Sequence, residues 1–274
     1  MLRGLYTSAS GMLAEQVRVD VLSHNLANVQ TVGFKRQAVL QSAFPDMLLQ
    51  RVHDPVVLGG APAAAGRPGA RGTQGGVGFA YDPRPVIGRL GTGTYIDGTY
   101  SDMTGGTLRH TGNPLDLALE GSGFFAVETP AGLRYTRDGR FTLDGEGWLV
   151  TAEGHRVLGE AGPIQIQGTE VHVTEEGEIW VDGAPVAVLA LRDFPEPQGL
   201  LREGSSLWAA TEASGPAQPA EARVHGGYLE ESNVNVVMAM VELIAAYRAY
   251  EANQRVIQAF DQTLGKAVNE LGRV

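Results

Sequence analysis

Both ends of the chain carry an apolar repeat that its middle lacks. A helix needs a repeat of about 3.5 residues to keep one seam against another helix over several turns. Six of the eight N-terminal repeat positions and nine of the eleven C-terminal ones are apolar. The N-terminal positions are Leu2, Leu5, Ala9, Met12, Gln16, Val19, Ser23 and Leu26. The C-terminal positions are Val236, Met240, Leu243, Tyr247, Tyr250, Gln254, Ile257, Asp261, Leu264, Val268 and Leu271. The pattern predicts two long heptad helices that form a coiled-coil-like assembly domain.

Proline and glycine divide the chain into further segments. All 14 prolines lie between residues 36 and 227, and proline in a helix interior removes a hydrogen bond and clashes with the preceding turn. We therefore predict an N-terminal assembly helix and turn in 1–35 and a C-terminal assembly helix in 228–274. The first helix is expected over about residues 4–28 with Gly33 in a left-handed turn. The second is expected from an N-cap at Ser232 or Asn233 to about residue 271.

The segment between these helices is predicted to be mainly β. Residues 36–78 are read as a connecting segment whose Gly/Pro/Ala-rich part, 53–78, is a flexible loop, because it holds too few large apolar side chains to offset its ordering entropy. In 79–227 short β-branched and aromatic stretches alternate with Asp138-Gly139, Asp144-Gly145 and Asp182-Gly183. Asp-Gly between such stretches favours tight hairpins. The sequence predicts a mixed, mainly β fold with an inserted antiparallel β domain, either a sandwich or an irregular barrel.

Composition excludes several classes of function. A net charge of −10 argues against a general nucleic-acid binder, and no apolar run is long enough to span a bilayer. The absence of cysteine excludes thiolate metal sites. Charged residues at positions 15, 18 and 20 interrupt any apolar signal region, so we expect no cleaved secretory signal.

A search for catalytic arrangements gives little. The six histidines include no HxxxH spacing, and neither GxxxxGK[ST] nor GxSxG occurs. Four carboxylates, Asp116, Glu120, Asp138 and Asp144, could pair as a glycosidase acid and base, but acids beside glycine are more typical of turns. We therefore expect no catalytic, cofactor or metal site and no small-molecule substrate.

The candidate functional residues lie in the terminal helices instead. Val237, Val241 and Ile244 form a second apolar line beside the C-terminal repeat, which indicates contact with more than one neighbour. An ordinary helix pair within one monomer stays open as an alternative. The predicted assembly interface consists of Leu5, Met12, Val19, Leu26, Val236, Met240, Leu243, Tyr247, Tyr250, Ile257 and Leu264. The predicted helix-exit motif consists of Asn25, Leu26, Ala27, Asn28, Thr31, Gly33 and Phe34. Asn25 and Asn28 either end the helix or fix its exit against a neighbouring subunit, and the two roles are compatible.

Three stretches of the chain resemble a known family. SGMLAEQVRVDVLSHNLANVQTVGFKR at 10–36 resembles the N-terminal signature of the bacterial axial flagellar proteins, the rod and hook family. The stretches at 112–159 and 229–267 are similar to the central and C-terminal signatures of that family. His24 departs from the asparagine that is more usual there. VLGEAGPIQI at 157–166 looks like the proximal-rod type and GTG at 91–93 like the distal-rod type, so the position in the rod stays open.

The resemblance implies a function. It implies a structural subunit of the basal-body rod, exported unfolded by the flagellar type III apparatus and polymerised helically through its terminal helices. The implied partners are copies of itself, other rod and hook proteins and the export apparatus. The implied location is the flagellar basal body outside the cytoplasmic membrane, in the periplasm or cell-wall region. The alternative is a secreted β-domain enzyme or binding module with a helical dimerisation stalk.

Overall fold

One helix at each end of the chain flanks a mainly β structure. The computed structural model describes residues 2–50, 86–204 and 206–271, in which α1 spans Leu2–Ala27 and α2 spans Val236–Leu271. Every strand pair in these ranges is antiparallel. The prediction of an antiparallel, mainly β fold with a helix at each end is confirmed. The predicted loop at 53–78 lies outside the described residues.

The two helices begin and end with local caps. After α1 the chain turns through Gly33, whose φ of 66° is the left-handed conformation expected for it. The N-cap of α2 is Asn235, whose Oδ1 accepts from the backbone N–H of Met238 at 3.1 Å. The expectation of Ser232 or Asn233 was wrong, because Asn233 uses its side chain elsewhere and donates to the carbonyl of Asp102.

The helices pack against each other in antiparallel orientation through small residues. A Cβ added at Gly4 would lie 2.5 Å from the ring of Phe260, and one added at Gly11 would lie 3.2 Å from the amide of Asn253. Farther along, Ala246 is buried against Val19 and Leu22. The backbones can approach closely because glycine and alanine leave room for the facing side chains.

A two-stranded arm lies along α1. Strand β1 (Gln37–Ala43) pairs with β4 (Thr94–Ser101), and β2 (Met47–Gln50) pairs with β3 (Val86–Leu90). The backbone N–H of Thr94 donates to the hydroxyl of Ser10 at 3.3 Å, which ties the arm to the helix. The arm begins inside the predicted connecting segment 36–78, where the alternation in QAVLQSA is too weak to mark a strand by sequence.

The rest of the chain folds around one large core. In the described residues its strands are β5 (Leu108–His110), β6 (Leu117–Glu120), β7 (Phe124–Thr129), β8 (Gly132–Thr136), β9 (Phe141–Leu143), β10 (Leu149–Thr151), β11 (Arg156–Gly159), β12 (Gly162–Pro163), β13 (Val171–Val173), β14 (Glu178–Val181), β15 (Ala184–Val188), β16 (Leu191–Asp193), β17 (Leu201–Glu203), β18 (Leu207–Ala209), β19 (Gln218–Pro219), β20 (Arg223–Gly226) and β21 (Tyr228–Glu230).

Strand β7 lies at the centre of the main sheet. The sheet runs in the order β17-β18-β8-β7-β11-β10-β9, and the three-stranded sheet β13-β14-β15 and the pair β6-β20 pack around the same core. Phe125 and Val127 point into the larger apolar cluster, while Phe124 and Ala126 point into a second cluster with Trp208. Because successive side chains of a strand alternate between faces, β7 is buried on both sides.

The hairpin signals were correct in part. Asp144-Gly145 and Asp182-Gly183 lie in the turns of the β9-β10 and β14-β15 hairpins, as predicted. Asp138-Gly139 does not form a hairpin, because β8 pairs with β7 and β18, and β9 pairs with β10. Local turn residues cannot reveal which strands pair at a distance.

Candidate assembly interface

Asn25 fixes the chain where it leaves α1. Its side chain is buried, donates from Nδ2 to the carbonyl of Gln37 at 2.7 Å, and accepts from the Gln37 N–H at 2.9 Å. The amide thereby satisfies both backbone groups of one residue at the start of the arm. Within the chain this geometry fixes the helix exit to the arm, and the predicted contact of Asn25 with a neighbouring subunit stays a prediction.

The other exit residues close a compact turn. The Nδ2 group of Asn28 donates to the carbonyl of His24 at 2.9 Å, and the Thr31 hydroxyl donates to Asn28 Oδ1 at 3.2 Å. Phe34 is buried beneath the guanidinium of Arg202, whose central carbon lies 4.2 Å from the ring centroid. Of the remaining members of the motif, Leu26 is half-buried and Ala27 is exposed.

A buried ionic cluster, which we call the junction, lies directly beyond this turn. It consists of Lys35, Arg137 and Glu230. The Lys35 ammonium donates to Glu230 Oε1 at 2.6 Å, and Arg137 donates to Glu230 Oε2 at 3.3 Å. All three side chains are buried. The junction joins the exit of α1, the central sheet and the strand that leads to α2.

The junction is held by more than charge. The Lys35 ammonium also donates to the carbonyl of Thr104, and Glu230 Oε1 accepts from the N–H of Gly106 at 2.9 Å. Burial lowers the pKa of Lys35, and the adjacent Glu230 carboxylate opposes that shift. Burial likewise lowers the pKa of Arg137. Removing one partner from such a cluster leaves uncompensated buried charge and is strongly destabilising.

Asn233, just before α2, connects the base of that helix to the residues beside the junction. Its Oδ1 accepts from the N–H of Arg36 at 2.7 Å, and its Nδ2 donates to the carbonyl of Asp102 at 2.9 Å. The base of α2 is therefore fixed to the exit of α1 and to the end of the arm. Sequence reasoning missed the junction and the bonds that Asn233 makes, because the hydrogen-bond partners of these residues lie 69 to 197 positions away in the chain.

The predicted interface residues divide by exposure. Val19 is buried. Leu5, Met12, Leu26, Leu243, Tyr250, Ile257 and Leu264 are half-buried. Val236, Met240 and Tyr247 are exposed. Within the chain, Ala239 and Ala246 are the buried residues in this half of α2, one position before Met240 and Tyr247, whereas the predicted Leu243 packs against the same cluster as Ala246. Alanine and glycine were missed because they are weak apolar signals.

Large apolar side chains remain exposed on the helices. Val237, Val241 and Ile244 are 70%, 58% and 54% exposed. On α1, Tyr6 and Leu13 are 69% and 60% exposed. Contiguous apolar side chains of this size on a surface mark a site of protein interaction.

The four carboxylates named in the sequence analysis each have a hydrogen-bond partner. Asp116 accepts from Thr111, Glu120 lies 2.8 Å from His225, Asp138 accepts from Arg140, and Asp144 accepts from the backbone N–H of Trp148. No group of three His, Asp or Glu side chains among the described residues could hold a metal ion. No helix in the described part of the chain is long and apolar enough to cross a membrane.

Comparison with protein families matches three parts of the chain. Residues 5–35 match the family described as "Flagella basal body rod protein". Residues 118–181 match the "Flagellar hook protein FlgE/F/G D1 domain", and residues 225–270 match the "Flagellar basal body rod FlgEFG protein C-terminal" family. The first and last matches fall on the helices and the exit motif, and the middle one falls on the central sheet.

Curated relatives match along the whole chain. The flagellar basal-body rod protein FlgG of Borreliella burgdorferi is 35% identical and covers 98% of both chains. The flagellar hook-basal body complex protein FlhO of Bacillus subtilis is 32% identical over 100% of both, and the FlgG of the same organism is 33% identical over 98% of this chain and 99% of its own. The chain is a structural protein and not an enzyme, and it belongs to the flagellar rod and hook family of axial proteins as a subunit of the basal-body rod.

Proposed function

We propose that the terminal helices form a coiled-coil-like assembly domain through which the subunit polymerises helically. Its partners are copies of itself and other rod and hook proteins. The interface includes the predicted repeat residues, of which Val236, Met240 and Tyr247 are free to contact a neighbour. The observation that carries this proposal is the exposure of Val237, Val241 and Ile244 along one face of α2.

The helices are ordered by burial that the polymer completes. Their contact within one chain sets glycine and alanine against a few larger side chains, Val19, Leu22 and Phe260, and buries little apolar area. Isolated helices are marginal in water, and most helical stability in proteins comes from tertiary packing. In the free subunit both helices are therefore mostly unfolded. Contacts with neighbouring subunits in the polymer then stabilise the helical state.

Export follows from the same account. A chain whose termini stay unfolded before assembly can pass through the flagellar type III apparatus. The subunit then acts outside the cytoplasmic membrane, in the periplasm or cell-wall region of the basal body. The match to rod proteins over the whole chain supports this location.

The test combines assembly with proteolysis. Concentrated wild-type protein should form filaments visible by negative-stain electron microscopy, whereas Leu243→Asp and Ile257→Asp should not, because each places a charge in a helix contact. Gln258→Asp, at an exposed site of the same helix, is the control and should polymerise.

In the dilute monomer, protease should remove both termini first while about residues 80–227 resist digestion. Fully helical, protease-resistant termini in the monomer would contradict ordering on assembly. Filaments of Leu243→Asp would contradict the role of the helices.

A further inference from the structure

The helix pair carries two unlike apolar surfaces on opposite sides. The first, the α2 stripe, consists of Val237, Val241 and Ile244. On a helix with 3.6 residues per turn these positions lie opposite Ala246, which is buried against Val19 and Leu22 of α1. The stripe therefore faces directly away from α1.

The second surface is concave. The α1 groove lies between α1 and the arm, holds about 420 Å³, and is bounded by Leu13, Val17, Phe44, Tyr95 and Ile96. No charged residue lines it. Leu13 and Val17 lie on the side of α1 opposite Gly4 and Gly11, which face α2.

The far wall of the groove is formed by two aromatic rings. The centroids of Phe44 and Tyr95 lie 5.1 Å apart, and both side chains are exposed. Aromatic rings in such a pair offer a large apolar surface to an incoming side chain. The groove thus suits an uncharged ridge of aliphatic side chains, which is what the α2 stripe presents.

We propose that the α2 stripe of one copy packs into the α1 groove of the next copy, head to tail. The proposal rests on the proposed function, since it takes polymerisation as given and names the surfaces that meet. A stripe that paired with a second stripe would leave both grooves open. One head-to-tail contact covers both surfaces of every internal copy, and such a heterologous contact does not close on itself.

The two surfaces also differ in height along the helices. Gly11 lies level with Asn253, so the groove at 13–17 is level with a point about nine residues beyond Val241, or about 14 Å at 1.5 Å per residue. Neighbouring copies must therefore be staggered along the helix axis. A stagger of this kind extends the array instead of forming a flat ring.

Paired cysteines test the contact, because the native chain contains none. Leu13 and Val241 are similarly exposed, at 60% and 58%. Filaments of a Val241→Cys/Leu13→Cys double variant, bridged with a short bismaleimide, should give a ladder of covalent dimers, trimers and longer species. The ladder should exceed the product of either single variant at least tenfold. Val241→Cys paired with Leu133→Cys, on the exposed β surface, should give no ladder.

The outcomes separate this contact from polymerisation itself. Filaments of the double variant that form but are not cross-linked would overturn the contact and leave the proposed function intact. The same conclusion would follow if the Val241→Cys single variant gave as much cross-linked product as the double variant. Wild-type protein that forms no filaments would instead remove the proposed function.

A pair of opposite charges tests the same contact if the cysteine variant does not polymerise. Val241→Lys and Leu13→Glu should each block filaments alone, and the two together in one chain should restore them, because every contact then joins one lysine to one glutamate. No recovery in the double variant would overturn the proposal.

Discussion

The β region and the helix pair bury opposite kinds of side chain. In the β region Phe125, Phe141 and Trp208 are almost fully buried. In the helix pair the most buried residues of α2 are Ala239 and Ala246, while Val237 and Val241 face solvent. The first region is stabilised by its own core, and the second leaves large apolar side chains exposed. Variants should therefore separate the two regions in the isolated subunit.

The largest effect on the isolated chain is expected in the core of the β region. Phe125→Ala should lower the free energy of unfolding by about 3–5 kcal/mol, because it leaves a cavity among packed side chains. Chemical denaturation monitored by tryptophan fluorescence measures this. A loss as small as that of a surface variant would show that this core does not stabilise the fold.

A comparable effect is expected at the junction, which connects the two regions. Glu230→Gln should destabilise the chain by about 3–5 kcal/mol, since two buried cations lose their anion. Glu231→Gln is the control: its carboxylate is exposed and pairs with Arg109 at 3.0 Å, so the loss should stay below about 0.5 kcal/mol. Equal losses of unfolding free energy in the two variants would show that the junction does not stabilise the fold more than a surface ion pair does.

An intermediate effect is expected in the helix contact. Ala246→Leu overfills the buried seam and should weaken the helix pair by about 1–3 kcal/mol, with a loss of helical circular dichroism in concentrated protein. Ala245→Leu, at the neighbouring exposed position, should leave the signal unchanged. The idea of a close small-residue contact fails if both variants behave alike.

A smaller effect on the monomer is expected in the α2 stripe. Val237→Ser should change the free energy of unfolding of the isolated chain by less than about 0.5 kcal/mol, as is usual for exposed sites. Filament formation should nevertheless require a higher protein concentration, measured by sedimentation. A large loss of monomer stability would show that the stripe is already covered within the chain.

The smallest expected effect is on the stability of the folded chain at acidic pH. Burial of Asp102 raises its pKa, but hydrogen bonds from Thr104 and Arg36 lower it by more, so the pKa of Asp102 lies below its usual value. The folded state therefore gains stability from Asp102 above the usual carboxyl pKa of about 3.9 and loses it as the pH falls through the lower folded-state pKa. Melting temperatures between about pH 5 and pH 2 should fall less steeply for Asp102→Asn. An unchanged slope would contradict this.

The sequence predicted what local patterns encode. The helix bounds, the left-handed Gly33 and the turn at Asp182-Gly183 each depend on neighbours in the chain. The pairing of β1 with β4 and the contact of Lys35 with Glu230 depend on residues far away, and one sequence holds no signal for them. Ala239 and Ala246 were missed because alanine is a weak apolar signal, whereas the predicted Leu243 packs against the same cluster as Ala246.

The closure of the β region has a consequence for the order of folding. Strand β6 pairs with β20 and β5 pairs with β21, so residues 117–120 and 108–110 wait for partners at 223–226 and 228–230. Contacts this distant in sequence form slowly, since the loop between them must close first. A chain that emerges with its N-terminus first cannot complete these two strand pairs until residues 223–230 have emerged. This topology therefore delays completion of the β region until that late segment is present.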